Sequence, residues 1–202
     1  MRHLTFAIAL FACAAHAAAQ EQHTIFSGPV PTGSYGGPVA KITTVRDQAA
    51  ILVGGHGGWI LNHRLILGAG GYGVVNEVNA ADGALPSEGP LDVKFGYGGF
   101  EVEYLIHPNR LGHFGVSTLI GAGANNYVKD VGPIAKSNEQ AGESDVVFVM
   151  EPGVTAELNI LTWLRLNGGV SYRLVRAVDQ NNLKNRDFSG LAATVSFRFG
   201  RF

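Results

Sequence analysis

Cysteine is almost missing from this chain. Cys13 is the only one, and it falls inside an N-terminal leader. The mature part is therefore expected to carry no thiol, which excludes disulfides, thiolate metal sites and a cysteine nucleophile. Charge is scarce too, at 15% of residues, with a formal net charge of −1. That leaves no cationic footprint for nucleic acid. After the leader there is no apolar run of about 18 residues, so no membrane-spanning helix is expected. Gly-x-Ser-x-Gly and His-x-x-x-His are both absent, which removes the sequence marks of a serine-hydrolase elbow and a zinc protease.

The leader is read over residues 1–19. Arg2 and His3 give a short basic start, Leu4 to Ala15 an apolar run, and Ala17 and Ala19 the small residues of a cleavage site. Cleavage is expected after Ala19, with Ala17 close behind. Leu10-Phe11-Ala12-Cys13 has the outline of an acylation box, which Phe11 fits poorly. Removing Arg2 leaves 14 basic and 16 acidic residues, a net charge of −2.

Glycine is abundant, with 28 residues, mostly inside apolar segments. Each costs a helix about 1 kcal/mol relative to alanine, so these segments read as strands. Residues 20–36 read as an N-terminal extension and 37–202 as one all-β domain. Eight segments fall near 37–46, 49–60, 64–75, 93–105, 112–124, 146–159, 164–176 and 189–200. Each has about the length of a tilted membrane strand.

Alternation carries the argument. In the seventh segment Leu164, Leu166, Val170, Tyr172 and Leu174 share one parity; Arg165, Asn167, Ser171 and Arg173 share the other. Successive strand side chains point to opposite faces, so one face is apolar and the other polar. The sixth sets Phe148, Met150, Val154, Ala156 and Leu158 against Glu151, Thr155, Glu157 and Asn159. The fourth sets Phe100, Val102 and Tyr104 against Glu101 and Glu103, and the eighth sets Phe197 and Phe199 against Ser196 and Arg198. In the second and third segments glycine fills both parities.

Connections alternate in length. Short turns around Asn62-His63, Pro108-Asn109 and Leu161-Thr162 contrast with long polar stretches at 76–92, 125–145 and 177–188; the short Arg46-Asp47-Gln48 hairpin is an exception. Short turns on one rim and long loops on the other mark an eight-stranded antiparallel up-and-down transmembrane β-barrel. Trp59, Tyr104, Phe114 and Trp163 flank the short turns. Tyr72, Tyr127, Phe148 and Tyr172 lie toward the long loops. Rings at both ends suit the headgroup level of a bilayer, so Trp59, Tyr72, Tyr104, Phe148, Trp163 and Tyr172 are expected to form an aromatic girdle. Core packing is the alternative.

The polar parity gathers Lys41, His56, Glu101, Glu103, Glu151, Glu157, Arg165, Arg173 and Arg198. In a lumen too narrow for a channel, these are expected to pair as a structural ion network. No catalytic residue, cofactor site or metal ligand is expected. The run Gly54-Gly55-His56-Gly57-Gly58 lies in a strand, not before a helix, so it reads as close packing and not as a phosphate cradle.

The whole pattern resembles the small outer-membrane β-barrel proteins of Gram-negative bacteria. Leu52-Val53-Gly54-Gly55-His56-Gly57-Gly58-Trp59, Glu151-Pro152-Gly153-Val154 and the closing Phe197-Arg198-Phe199-Gly200-Arg201-Phe202 carry the resemblance. It implies an outer-membrane location and bilayer lipid as partner, with Phe202 as a signal to the barrel-assembly machinery. Phe202 breaks the parity of Phe197 and Phe199. Either Gly200 or Arg201 forms a bulge, or the last residues leave the ladder. A monomeric structural or surface-interaction barrel is the leading reading. A soluble lipocalin-like barrel would invert every strand, placing Glu157, Arg165 and Arg173 outside. A lipid-modifying enzyme would work through His56 or His113.

Overall fold

The computed structural model describes residues 30–80, 91–129, 140–178 and 183–202. Eight strands follow in order: β1 (Thr32–Val45), β2 (Gln48–Leu61), β3 (Leu65–Val74), β4 (Leu91–Ile106), β5 (Gly112–Lys129), β6 (Gln140–Leu161), β7 (Leu164–Arg176) and β8 (Gly190–Arg201). A single helical turn, α1 (Asn185–Phe188), precedes β8. Each strand pairs antiparallel with the next, and β8 returns to β1 to close the barrel. Closure leaves no edge with unpaired amides, the condition a sheet must meet in lipid.

The faces divide as the alternation predicts. Trp59, Phe100, Phe114, Val154, Val170, Leu191 and Phe197 are exposed on the outside, while Lys41, Glu103, Glu151, Glu157, Arg173 and Arg198 are buried within. The inverted strand faces that a lipocalin-like barrel requires are thereby excluded, because Glu157 and Arg173 face inward and the apolar parity faces out.

Two boundaries differ from the sequence reading. The barrel begins at Thr32, not at 37, so Tyr35 belongs to it. Gly33, Gly36 and Gly37 hide that start, since glycine has little strand preference of its own. Pairing with β2 and β8 supplies the order instead, as in Gly36↔Gly57 and Gly36↔Phe199. The expected loop at 125–145 is strand at both ends: β5 reaches Lys129 and β6 starts at Gln140, with a register shift between Asn125 and Tyr127. The leader over 1–19 lies outside the described residues.

Turn chemistry fixes the register. Arg46 and Asp47 have φ of 52° and 60°, and Asn62 and His63 have 50° and 55°. Two consecutive left-handed residues make the tight turn whose twist matches paired strands. The short Arg46-Asp47 hairpin is braced by its neighbours. Arg46 Nη1 donates to Asn79 O at 2.5 Å, and its amide donates to Asp187 O at 2.6 Å.

Two seams are interrupted. The β1–β8 ladder skips Gly37 and Pro38, and the β6–β7 ladder skips Glu151 and Pro152. Each gap holds a proline, which has no amide hydrogen to give. The β7–β8 hairpin is thus flanked on both sides by an interrupted seam. Glycine in β2 serves close approach: a Cβ on Gly58 would stand 2.7 Å from Gly68 Cα across the sheet.

The lumen is layered. At the short-turn rim Tyr35, Ile60, Ile66 and Leu105 pack together, with Phe202 against them. The β1–β8 register stays unbroken from Val39↔Ser196 past the gap to Ser34↔Arg201, so no bulge forms at Gly200 or Arg201. Phe202 lies just past the end of β8, keeps the inward parity and joins this apolar layer. At the long-loop rim a larger apolar layer includes Leu52, Val93, Phe95, Val147 and Val175. Val78, Leu183 and Phe188 from the connections complete it. The polar residues lie between these layers.

Candidate functional site

The polar layer is built by inward positions of all eight strands and forms two clusters. Nearer the short-turn rim, Glu157 of β6 is the hub. It meets Arg165 Nη1 at 2.8 Å, Arg198 Nη1 at 2.7 Å and His113 Nε2 at 3.1 Å. Arg198 reaches on to Glu103 Oε2 at 2.7 Å, and Glu103 Oε1 accepts from Thr155 Oγ1 at 2.6 Å. Arg165 also lies over the Phe202 ring at 3.9 Å, and Arg198 over that of Tyr35 at 4.8 Å.

Toward the long loops, Glu151 is the second hub. Lys41 Nζ lies 2.9 Å from its Oε1, Ser171 Oγ donates at 2.6 Å, and the Tyr97 hydroxyl donates to Oε2. Lys41 also sits 3.7 Å above the centre of the Tyr72 ring. Glu101 accepts from the Tyr72 hydroxyl and lies 3.4 Å from His56 Nδ1. Glu101 and Glu103 share a strand face, as their spacing requires, yet they serve different clusters.

Such pairing follows from burial. An ionised group without a partner in this interior is expensive, and shared hydrogen bonds offset its lost hydration. A cavity of about 70 Å³ borders both clusters, lined among others by Tyr35, His56, Glu101, Glu103, Thr155 and Arg198. Its size and the polar groups set in its wall suit a few water molecules, and the buried His56 Nε2 and Tyr35 hydroxyl have no protein partner.

Eight of the nine expected network residues meet in these clusters; Arg173 does not. It is fully buried, but its donors go to Phe188 O at 2.6 Å, Thr44 O at 3.1 Å and Thr43 Oγ1 at 3.4 Å. No carboxylate pairs with it among the described residues. Its position near the end of β7 carries it beyond the acids and into the apolar layer, beside Phe95 and Tyr97. There it ties α1 to the end of β1.

Of the expected girdle, Trp59, Tyr104, Phe148, Trp163 and Tyr172 are exposed on the outer face. Tyr72 is a correction. It is buried in the lumen, because β3 turns Ile66, Gly68, Gly70 and Tyr72 inward. Glycine on both parities of that strand conceals the assignment. Tyr127 likewise points inward and is buried. Sequence reasoning overlooks Tyr97, Thr155 and Ser171 as partners; Tyr97 shares the parity of Glu101, which is the signal that would have found it.

The histidines offer little chemistry. His56 and His113 are buried against Glu101 and Glu157, and neither contacts a serine or threonine hydroxyl among the described residues. His63 and His107 are exposed in short turns. No group of three or more His, Cys, Asp or Glu residues able to hold a metal occurs among the described residues.

No protein-family model matches the sequence, and no curated protein matches it either. Solved structures do match by shape. Neisserial surface protein A shares 10% identity over 85% of this chain and 99% of its own, with a TM-score of 0.57. The outer membrane protein OprG from Pseudomonas aeruginosa shares 8% identity over 84% of this chain and 95% of its own, with a TM-score of 0.51. At such identity the likeness carries the fold alone. By fold, this chain is an eight-stranded antiparallel barrel of the small outer-membrane type, apolar outside and charged within.

Proposed function

We propose that this chain resides in the bacterial outer membrane as a monomeric barrel with a structural or surface-interaction role and no catalytic activity. One observation carries the reading. Trp59 is 68% exposed and Leu191 71%, while Glu157 and Arg198 are each 3% exposed. Water would reverse that arrangement; a bilayer favours it. The leader is cut after Ala19, the assembly machinery inserts the chain, and Phe202 is part of the signal it reads. The short turns then face the periplasm and the long loops the exterior.

The lumen supports a role at the surface and not in transport. An apolar layer stands at each end of the polar clusters, and both imidazoles within are held by carboxylates. Exposed loops on a rigid scaffold are where recognition residues collect. Membrane fractionation with a heat-modifiability gel tests the reading. Outer-membrane partitioning and faster migration of the unboiled form are expected. A periplasmic protein soluble without detergent would overturn it.

A further inference from the structure

Among the described residues, the short-turn rim carries a cationic band without ion pairs. Arg64 closes the β2–β3 turn, Arg110 lies in the β4–β5 connection and Arg201 ends β8. All three are exposed, as are His63 and His107 on the same turns. Among the described residues, no ion pair joins Arg64, Arg110 or Arg201 to a carboxylate. Outside the lumen, the described acidic residues Asp47, Glu77, Asp92, Asp145 and Asp187 all fall on the long-loop half. Among the described residues, no carboxylate side chain outside the lumen lies at this rim to neutralise the three arginines.

Their placement names a partner. Trp59 and Trp163 are exposed on the outer face at this rim. The Gly200 amide donates to Trp163 O at 2.9 Å, and Trp163 stacks on Phe199, 6.1 Å between centroids. Arg201 shares the outward parity of Phe197 and Phe199. Its guanidinium therefore continues the apolar column one step beyond the last ring. Amphipathic rings sit at the headgroup level, so a cation just past them meets lipid phosphate. Arg110 holds the corresponding place beside the exposed Leu111 and Phe114. Arg165, also near this rim, turns inward to Glu157 and plays no part.

We infer that Arg64, Arg110 and Arg201 form a binding band for the headgroups of anionic phospholipids in the periplasmic leaflet. The inference rests on the outer-membrane reading above. Lipid phosphate is favoured over cell-wall carboxylate because Arg201 projects along the lipid face, not down into the periplasm. Arginine suits the task, since its planar fork can hold two phosphate oxygens at once.

The chain's two tryptophans report on this rim. Protein purified from the membrane is placed in vesicles holding brominated phosphatidylglycerol or brominated phosphatidylcholine, and quenching is compared. Each basic residue near an anionic surface contributes about 1 kcal/mol, so phosphatidylglycerol should be preferred about fivefold or more at low salt. The preference should disappear in the triple variant Arg64→Gln, Arg110→Gln, Arg201→Gln, with heat-modifiability unchanged. Equal quenching by the two lipids in the unaltered protein would overturn the inference, as would a preference that survives in the triple variant. Loss of the preference to inorganic phosphate at matched ionic strength would overturn it in favour of a free-phosphate site. Retention of soluble cell-wall fragments without lipid preference would overturn it in favour of a cell-wall anchor. If neither brominated lipid quenches, the tryptophans lie outside lipid and the outer-membrane reading itself fails.

Discussion

At the residue scale, the lumen depends on a few side chains that each satisfy several others. Glu157 joins Arg165, Arg198 and His113, whereas Arg198 keeps Glu103 as a second partner. Losing Glu157 therefore leaves Arg165 without any carboxylate, while Arg198 keeps one. Breaking a buried pair by removing one partner costs about 3–5 kcal/mol, and Glu157→Gln should destabilise the barrel by about that much. Chemical unfolding in lipid vesicles measures it. A change under about 1 kcal/mol would mean that water solvates the cluster and that the pairs matter little. Arg173 shows a different use of charge. Its guanidinium holds backbone carbonyls of α1 and β1 and so fastens the cap on the long-loop side.

At the element scale, the two interrupted seams set the β7–β8 hairpin apart. Every other ladder runs through the middle of the wall without a gap. Pro152 takes one donor from the β6–β7 seam, where Glu151 and Pro152 find no partner positions. Pro152→Ala restores an amide there. It should add about 0.5–1.5 kcal/mol, the net value of one hydrogen bond. Amide exchange should slow at Tyr172 and Arg173, which face the gap. Unchanged exchange at both would place the cause of the interruption in the strand geometry and not in the missing amide. Strand ends show the same dependence on partners: β5 and β6 extend each other through Tyr127↔Ala141, in a stretch whose composition favours a loop.

At the scale of the whole molecule, what faces the surroundings is apolar all the way round. Val170 of β7 pairs with Val154 and with Ala193, and both valines are about half exposed near mid-height. Val170→Lys should cost about 2–4 kcal/mol of folding stability in a bilayer if it lies at the midplane. Refolding into vesicles with a denaturant titration provides the measurement. A neutral outcome would mean that water, not lipid, covers that face.

The sequence by itself determined the strand count, the antiparallel up-and-down order and the face of every strand with clear alternation. A period of two is a local property: Glu101 and Glu103 must share a side whatever else folds around them. It also determined which residues could meet, since Lys41, Glu151, Glu157, Arg165 and Arg198 share the inward set. Tertiary structure decided which of them do meet. Partner choice depends on stagger between strands and on height along the barrel, which parity does not encode. That is why Arg173 leaves the network, why Tyr72 turns inward where glycine blanks the pattern, and why Tyr97 and Ser171 join Glu151. It is also why β1 starts at Thr32: a glycine-rich stretch has no strand preference to read, and only neighbours on both sides hold it in the wall.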